Sequence, residues 1–394
     1  MWLNWVGIAL TAAAAAYTVA AAIAVHVRLK VDVRARAGEY PPVTILKPLC
    51  GDEYELYECL RSFFEQDYPH FQIVFGVSDG DDPATEVVAR LQREFPGIET
   101  NLVVDRRQHG SSRKVSNLMN MLPLARHECL IISDSDVRVS HDYLSRIVPP
   151  LLDPSVGIVT CPYQGTPRSG LWSLLGSMFI NDWFIPSVRV AALSGSRAFA
   201  FGVTIALRRQ VLASIGGLAA IANQLADDYR LGELTRARGL RTILSDVVVE
   251  TSVDERSLGQ LVRHELRWLR TIRAVRPIGY TLSFITFSVP IALGGCAIAR
   301  AAPAVMLLMV TMFGRLMLHL RVRSKNSSLG RDLIVLPLRD LLSLCLWAWG
   351  FVNRRVRWRD ARFHITRDGS VQPVARITQS VARQPHTSHR YIDQ

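Results

Sequence analysis

The six cysteines (Cys50, Cys59, Cys129, Cys161, Cys296 and Cys345) form no C-x-x-C pair and have no histidine at zinc-ligand spacing. That excludes a zinc ribbon and a dithiol redox motif, and it fits reduced, mostly buried thiols in a cytosolic domain. Internal repeats are lacking, and low complexity is confined to an alanine run near the start, so solenoid and propeller architectures are excluded. The formal charge of +12 comes with no nucleic-acid-binding motif. Nor does a basic region precede the first apolar run, residues 5–25; basic residues follow it instead. That order argues against a cleaved signal peptide and for an uncleaved anchor whose downstream side is cytosolic.

The positive charge has a place. It crowds beside hydrophobic segments, at 26–36, 321–331 and 354–359. Basic residues flanking spans follow the positive-inside bias and attract anionic headgroups. The partner they imply is a membrane, not nucleic acid.

A chain of 394 residues holds one large domain plus a smaller module. Residues 1–40 read as an anchor and basic linker, and 41–250 as an α/β domain. Apolar strand-like runs at 43–46, 72–78, 101–104, 129–133 and 156–161 alternate with helical periodicity at 56–66, 84–95, 115–125 and 143–152. Further strands are expected at 198–207 and 241–250. This alternation predicts a mostly parallel sheet flanked by helices. Residues 251–276 contain a basic amphipathic helix at 257–273, with Leu258, Leu261, Val262, Leu266 and Leu269 near one side, suited to a membrane surface. Within 277–355, the runs 280–299 and 302–320 read as spans. The run 333–352 contains Arg339 and Asp340, and a third crossing would place the basic tail outside. It is therefore expected to be interfacial or re-entrant. Residues 356–394 read as a basic cytosolic tail.

Three acidic clusters carry the chemistry. Asp79, Asp81 and Asp82 follow a strand and precede a helix. One of these carboxylates can grip a nucleoside; Asp82 ahead of Pro83 equally suits a helix start. The Asp134-Ser135-Asp136 triplet ends an apolar strand, where ligands of open α/β sheets collect. Two carboxylates there can share a divalent cation with a diphosphate, although a solvated turn reads the same way. Asp227-Asp228 precedes a helical stretch, suited to a general base or to a dipole-favoured helix start. Downstream, His264, Arg267 and Trp268 share one helix face, fit for a diphosphate and a sugar or for an interfacial belt. Lys114 is a further phosphate candidate, or an ordinary loop lysine.

The strings ILKPLCG at 45–51, FFEQDYP at 63–69, DGDDPA at 79–84, DSDVRV at 134–139 and ADDYRLG at 226–232, followed by HELRW at 264–268, resemble the family 2 and family 21 glycosyltransferases. Family 21, the ceramide glucosyltransferase group, is the nearer of the two. The resemblance covers roughly residues 41–275, with a fainter echo at 358–363. It implies a GT-A-like α/β fold between N-terminal and C-terminal transmembrane helices, and an inverting transfer from a UDP-sugar to a lipid hydroxyl. By that resemblance Asp82, with Asp79 beside it, binds the nucleotide. Asp134 with Asp136 holds Mg²⁺ or Mn²⁺ and the diphosphate, and Asp228 is the catalytic base. Arg267 and Trp268 match the terminal signature. His264 stands where Gln or Arg is usual, making a pH-dependent donor. The local strings favour a bacterial branch that adds N-acetylglucosamine to bacteriohopanetetrol at the cytoplasmic face of the inner membrane. Glucosylation of ceramide from UDP-glucose is the alternative. Rivals are a processive polysaccharide synthase and a sugar-nucleotide sensor without turnover.

Overall fold

The computed structural model describes residues 2–27, 39–51, 53, 55–196, 200–325, 327–352, 355–358, 361–366 and 370–373. The basic linker at 28–36, Arg354, Arg359 and the tail beyond 373 lie outside the described residues.

Near-continuous apolar runs make fully buried strands. β1 (Val43–Pro48), β2 (Phe71–Val77), β3 (Glu99–Val104), β4 (Cys129–Ile132), β6 (Val156–Thr160), β8 (Ile205–Arg208) and β9 (Arg241–Leu244) form one sheet in the order β3-β2-β1-β4-β8-β6-β9. β8 alone is reversed, antiparallel to both β4 and β6. Successive side chains alternate faces. Val43 and Ile45 thus join Phe63, Ile73 and Phe75 on one side, while Leu46 joins Val74, Leu118, Leu130 and Ile132 on the other. Helices α2 (Leu56–Phe64), α3 (Ala84–Glu94), α4 (Arg113–Met121), α5 (Tyr143–Ile147), α8 (Arg209–Ser214) and α9 (Asp227–Ala237) belong to the same domain.

A second sheet is made by β5 (Val137–Arg138), β10 (Val249–Val253) and β7 (Tyr163–Pro167), with β10 central. The expected single strand at 241–250 is therefore two strands in two sheets. The long strand expected at 198–207 is confined to β8, preceded by a turn. Between β7 and β8 lies an unforeseen helical run: α6 (Gly170–Met178), a π-helical turn at Phe179–Phe184, and α7 (Ile185–Leu193). Three short C-terminal strands, β11 (Arg355–Trp358), β12 (Ala361–Ile365) and β13 (Val371–Pro373), follow the last helix. Ser370 pairs with Gln224, just ahead of the third acidic cluster.

Among the described residues, two helices are long and apolar enough to cross a membrane, α1 (Trp2–Ala24) and α13 (Ala302–Val322). α1 lies close against α12 (Ser288–Ala299) because both carry glycine at the contact. A Cβ on Gly7 would sit 2.5 Å from the Gly295 carbonyl oxygen, and one on Gly295 would sit 2.5 Å from Thr11 Oγ1. Small residues let helices approach in this way. The expected span at 280–299 is not straight. The segment Pro277–Thr286, which includes α11 (Pro277–Leu282), meets α12 at a 69° bend, the geometry of a broken span or re-entrant loop.

The stretch expected to be interfacial or re-entrant, 333–352, is one continuous helix, α14 (Leu329–Trp349), with Pro337 inside it. Its charges are answered within the protein. Arg339 makes a bidentate pair with Glu265 at 2.7 and 2.8 Å, and Asp340 receives Arg315 at 2.8 Å. Arg315 and His319 of α13 both reach Asp182 on the π-helical turn. Ionisable groups on such helices turn towards the bundle and pair with one another.

Candidate active site

β1 and β4 run parallel in register, Leu46 beside Ile132, so the residues after them emerge side by side. Asp134-Ser135-Asp136 is the continuation of β4. Beneath it lies Lys47, fully buried. Its ammonium donates to the Asp134 carbonyl and to Ser133 Oγ at 3.5 Å, and stands 3.9 Å over the Phe63 ring. Burial lowers the Lys47 pKa to about 8, with Asp136 and Asp134 among the charges that oppose the fall. A lysine interrupting the apolar run of β1 was the legible signal for this residue, which the motif reading passed over. Asp136 accepts from Thr251 Oγ1 of β10 at 2.7 Å. Burial, then repulsion from Asp134, raises its pKa. Ser135 donates to Glu53, a further carboxylate at the site.

Lys114 lies in the first turn of α4, which Ser112 caps by accepting from Val115 N at 3.3 Å. The helix dipole disfavours a cation there, yet Lys114 meets Asp134 at 2.5 Å and Asp227 at 4.0 Å. Burial works against its charge, and the two carboxylates outweigh it, holding the pKa above the ordinary lysine value. Asp227 and Asp228 open α9, where the dipole favours acids. The loop before α9 is tied to α4's approach by Ser112 N to the Ala222 carbonyl at 2.9 Å.

Gly202 joins these groups. Its N–H donates to Asp228 Oδ2 at 2.9 Å, and next door the Val203 carbonyl accepts from Ser133 Oγ at 2.9 Å. A Cβ on Gly202 would lie 3.1 Å from Lys114 Nζ, 3.4 Å from Asp134 Oδ2 and 3.5 Å from Asp228 Oδ2. Residues from three distant stretches therefore face one small space. Burial, reinforced by Asp227 and eased by Lys114, pushes Asp228 up to about 6.

The first acidic cluster lines the same cleft from the β2–α3 side. Asp82 is held from two directions: both its oxygens accept Gly51 N–H at 2.9–3.0 Å, and Oδ1 also accepts Ala84 N–H at 3.0 Å. It thus fixes the glycine turn after β1 and the start of α3 together. Asp79 is half exposed and bridged to Arg106 at 2.7 Å; that hydrogen bond keeps its carboxyl below the usual range. Asp81 does not line the cleft.

The opposite wall is α10 (Leu258–Val275). His264, Arg267 and Trp268 all line the cleft. The other side of α10, with Leu266 and Leu269, is covered by protein: Phe179, Tyr280 and Leu346. Trp268 closes an aromatic cluster with Tyr163 and Phe184, ring centres 5.3–6.3 Å apart. Arg276 Nε donates to the Tyr229 hydroxyl at 3.1 Å, linking the end of α10 to the third cluster.

All nine expected site residues border one cleft of about 1100 Å³. Its lining combines the acids and Lys114 with aromatic and aliphatic side chains, among them Trp268, Ile272 and Val275. Such a space suits an anionic nucleotide beside a partly apolar co-substrate. Among the described residues, no three His, Cys, Asp or Glu side chains form a ready metal cage. Two crowded hard carboxylates, Asp134 and Asp136, still fit an ion that draws its other ligands from phosphate oxygens and water.

The glycosyl transferase family 21 model matches residues 7–371. The chain belongs to glycosyl transferase family 21. It is a glycosyltransferase. This family 21 chain is 21% identical over 343 residues to ceramide glucosyltransferase 3 of Caenorhabditis elegans, covering 84% of this chain and 74% of that protein. It is 23% identical over 242 residues to an N-acetylglucosaminyltransferase of Rhizobium leguminosarum bv. viciae, covering 59% and 55% respectively. Its fold is similar to the mannosyltransferase PcManGT of Pyrobaculum calidifontis, solved with GDP-Man and Mn²⁺. There the TM-score is 0.55 and the identity 23%, over 89% of this chain and 99% of that one.

In this family 21 enzyme, Gly202→Ala is expected to lower turnover at least ~10-fold, because the new methyl takes up the space shared by Lys114, Asp134 and Asp228. Steady-state kinetics beside thermal unfolding check this. Unchanged kinetics would mean that the space is not used.

Proposed function

We propose that this protein is an inverting, membrane-attached transferase that moves a sugar from a UDP-sugar to a lipid hydroxyl and releases UDP. The observation that carries this reading is the gathering of Lys114, Asp134 and Asp228 around Gly202. Asp82 and Asp79 serve the nucleoside end. Lys114, His264 and Arg267 serve the diphosphate, and Trp268 packs under the sugar. Asp134 and Asp136 hold Mg²⁺ or Mn²⁺, which when bound offsets the charge of the leaving diphosphate. Asp228 takes the proton of the lipid hydroxyl as its oxygen attacks the anomeric carbon. The bond from that carbon to the diphosphate oxygen breaks, and a β-linked glycolipid forms. A single displacement of this kind needs one base on the face opposite the leaving group.

The aromatic and aliphatic lining from α10 supports a lipid acceptor entering from the membrane side. We favour UDP-N-acetylglucosamine and bacteriohopanetetrol, on the triplet and RHELRW strings and on the likeness to an N-acetylglucosaminyltransferase. The second reading, UDP-glucose and ceramide, is supported by the likeness to ceramide glucosyltransferase 3. The site faces the cytoplasm of a bacterial inner membrane in either case; the basic residues that follow the first apolar run in sequence support this orientation.

The test is mass spectrometry of lipids from cells with and without the gene. A hopanoid gaining one N-acetylhexosamine supports the first reading, and a ceramide gaining one hexose the second. Purified protein should release UDP from donor plus lipid extract, and Asp134→Asn should reduce that release at least ~100-fold at fixed Mn²⁺. No UDP release with any UDP-sugar would defeat the proposal.

A further inference from the structure

β10 ties two parts of the cleft together. Thr251 on it donates to Asp136, and four residues on, just past the strand, stands Glu255. Glu255 is buried against Gly176, where a Cβ would lie 2.7 Å from its Oε2. That Oε2 has no hydrogen-bond partner among the described residues. Its other oxygen, Oε1, meets His264 Nδ1 at 2.5 Å. The imidazole in turn stands edge-on to Trp268, ring centres 5.3 Å apart, and lines the cleft.

A buried carboxylate is costly unless it is paired. A carboxylate only accepts, so Nδ1 of His264 must carry the proton of this hydrogen bond. The cleft-side nitrogen, Nε2, can then donate only when the ring holds both protons. Arg263 and Arg267 flank His264 on the cleft lining of α10 and oppose a further positive charge there, so a carboxylate must supply what favours it. Glu265, its neighbour in sequence, is engaged by Arg339 of α14. α6 brings no ionisable group, and α11 brings only Tyr280. Asp254, beside Glu255, is engaged by Arg256 and Ser169. Glu255 is thus the carboxylate left to His264.

We propose that Glu255 is a positioning residue that holds His264 as an imidazolium, so that its Nε2–H is aimed at the diphosphate of the bound donor. This rests on the donor reading above. It makes donor affinity, not only turnover, depend on pH: present while the ring is doubly protonated and lost as pH rises through its titration.

The test is equilibrium binding of UDP-N-acetylglucosamine and UDP-glucose to the full-length protein in nanodiscs with Mn²⁺, from pH 6 to 9. Neither donor's diphosphate titrates in that range. Wild-type affinity for the better donor should fall by about 10-fold or more across it. Glu255→Gln, isosteric and uncharged, should bind at least ~10-fold more weakly at pH 6 with its unfolding temperature within a few degrees of wild type. His264→Arg should bind as tightly as wild type at pH 6 and lose clearly less affinity than wild type by pH 9, Lys47 and Asp228 accounting for what remains. Wild-type affinity independent of pH, or Glu255→Gln binding like wild type, would overturn the dyad while leaving the donor site standing. Catalysis that rises with pH through His264, with flat donor affinity, would make the imidazole a base and also overturn it. A wild type that binds neither donor removes the donor reading, and the dyad with it.

Discussion

Asp228→Asn is expected to lower turnover by about 10²–10⁴-fold while the protein still folds and still binds donor, the range over which a positioned base contributes. Asparagine keeps the shape and suits the start of α9. Its amide oxygen still accepts from Tyr229 N or from Gly202 N, and only one of those two hydrogen bonds is lost. A net loss of about 1 kcal/mol is the expected cost in stability. What disappears is the capacity to take a proton. The pH profile carries the same information. With Asp228 pushed up to about 6 by burial and by Asp227, the active form is the deprotonated one. Activity should therefore be full well above pH 6 and fall roughly tenfold per unit below it. Asp228→Asn should abolish that acid limb along with the rate. Full turnover in a folded Asp228→Asn enzyme would remove the base assignment.

The acidic motifs were legible because each follows or opens a regular element. An apolar run that stops at an acid, or an acid pair that starts a helical pattern, is a local signal. The parallel sheet was legible for the same reason. Other features depend on partners far along the chain. The significance of Gly202 appears only when the turn before β8 comes to lie between Asp134 and Asp228. The π-helical turn at Phe179–Phe184 has no periodic signature, and it brings Asp182 to Arg315 and His319 over more than 130 residues of sequence. Glu255 reads as one more charge in Asp254-Glu255-Arg256 until α10 folds back and sets His264 upon it. The charges of α14 depend on distant partners in the same way. Arg339 and Asp340 look like interruptions of an apolar run until Glu265 and Arg315 are seen opposite them.

That pairing sets up the second large effect. Arg339→Ala is expected to cost about 3–5 kcal/mol, because it leaves Glu265 buried without its cation. Burial already pushes the Glu265 carboxyl up, and Arg339 opposes that rise. Arg339 also donates to the Leu175 carbonyl and to Ser343 Oγ, and lies over Phe179, so its loss loosens α6, α10 and α14 together. Thermal unfolding in detergent should fall by roughly 5 °C. The double variant Glu265→Leu with Arg339→Met removes both charges and keeps apolar volume. Buried pairs replaced in that way are often neutral or stabilising, so its unfolding temperature should return to within a few degrees of wild type. Activity separates a staple from a functional link. Glu265 sits between His264 and Leu266, and Arg267 and Trp268 follow on the same helix. If the pair only holds α10 in place, the double variant should recover donor affinity as well as stability. If the double variant is stable yet binds donor weakly, the geometry of the pair sets how α10 presents His264 and Arg267, and the membrane-side helix α14 then tunes the cleft. An Arg339→Ala protein as stable as wild type would contradict both outcomes, since it would mean that Glu265 is buried without its cation at no cost.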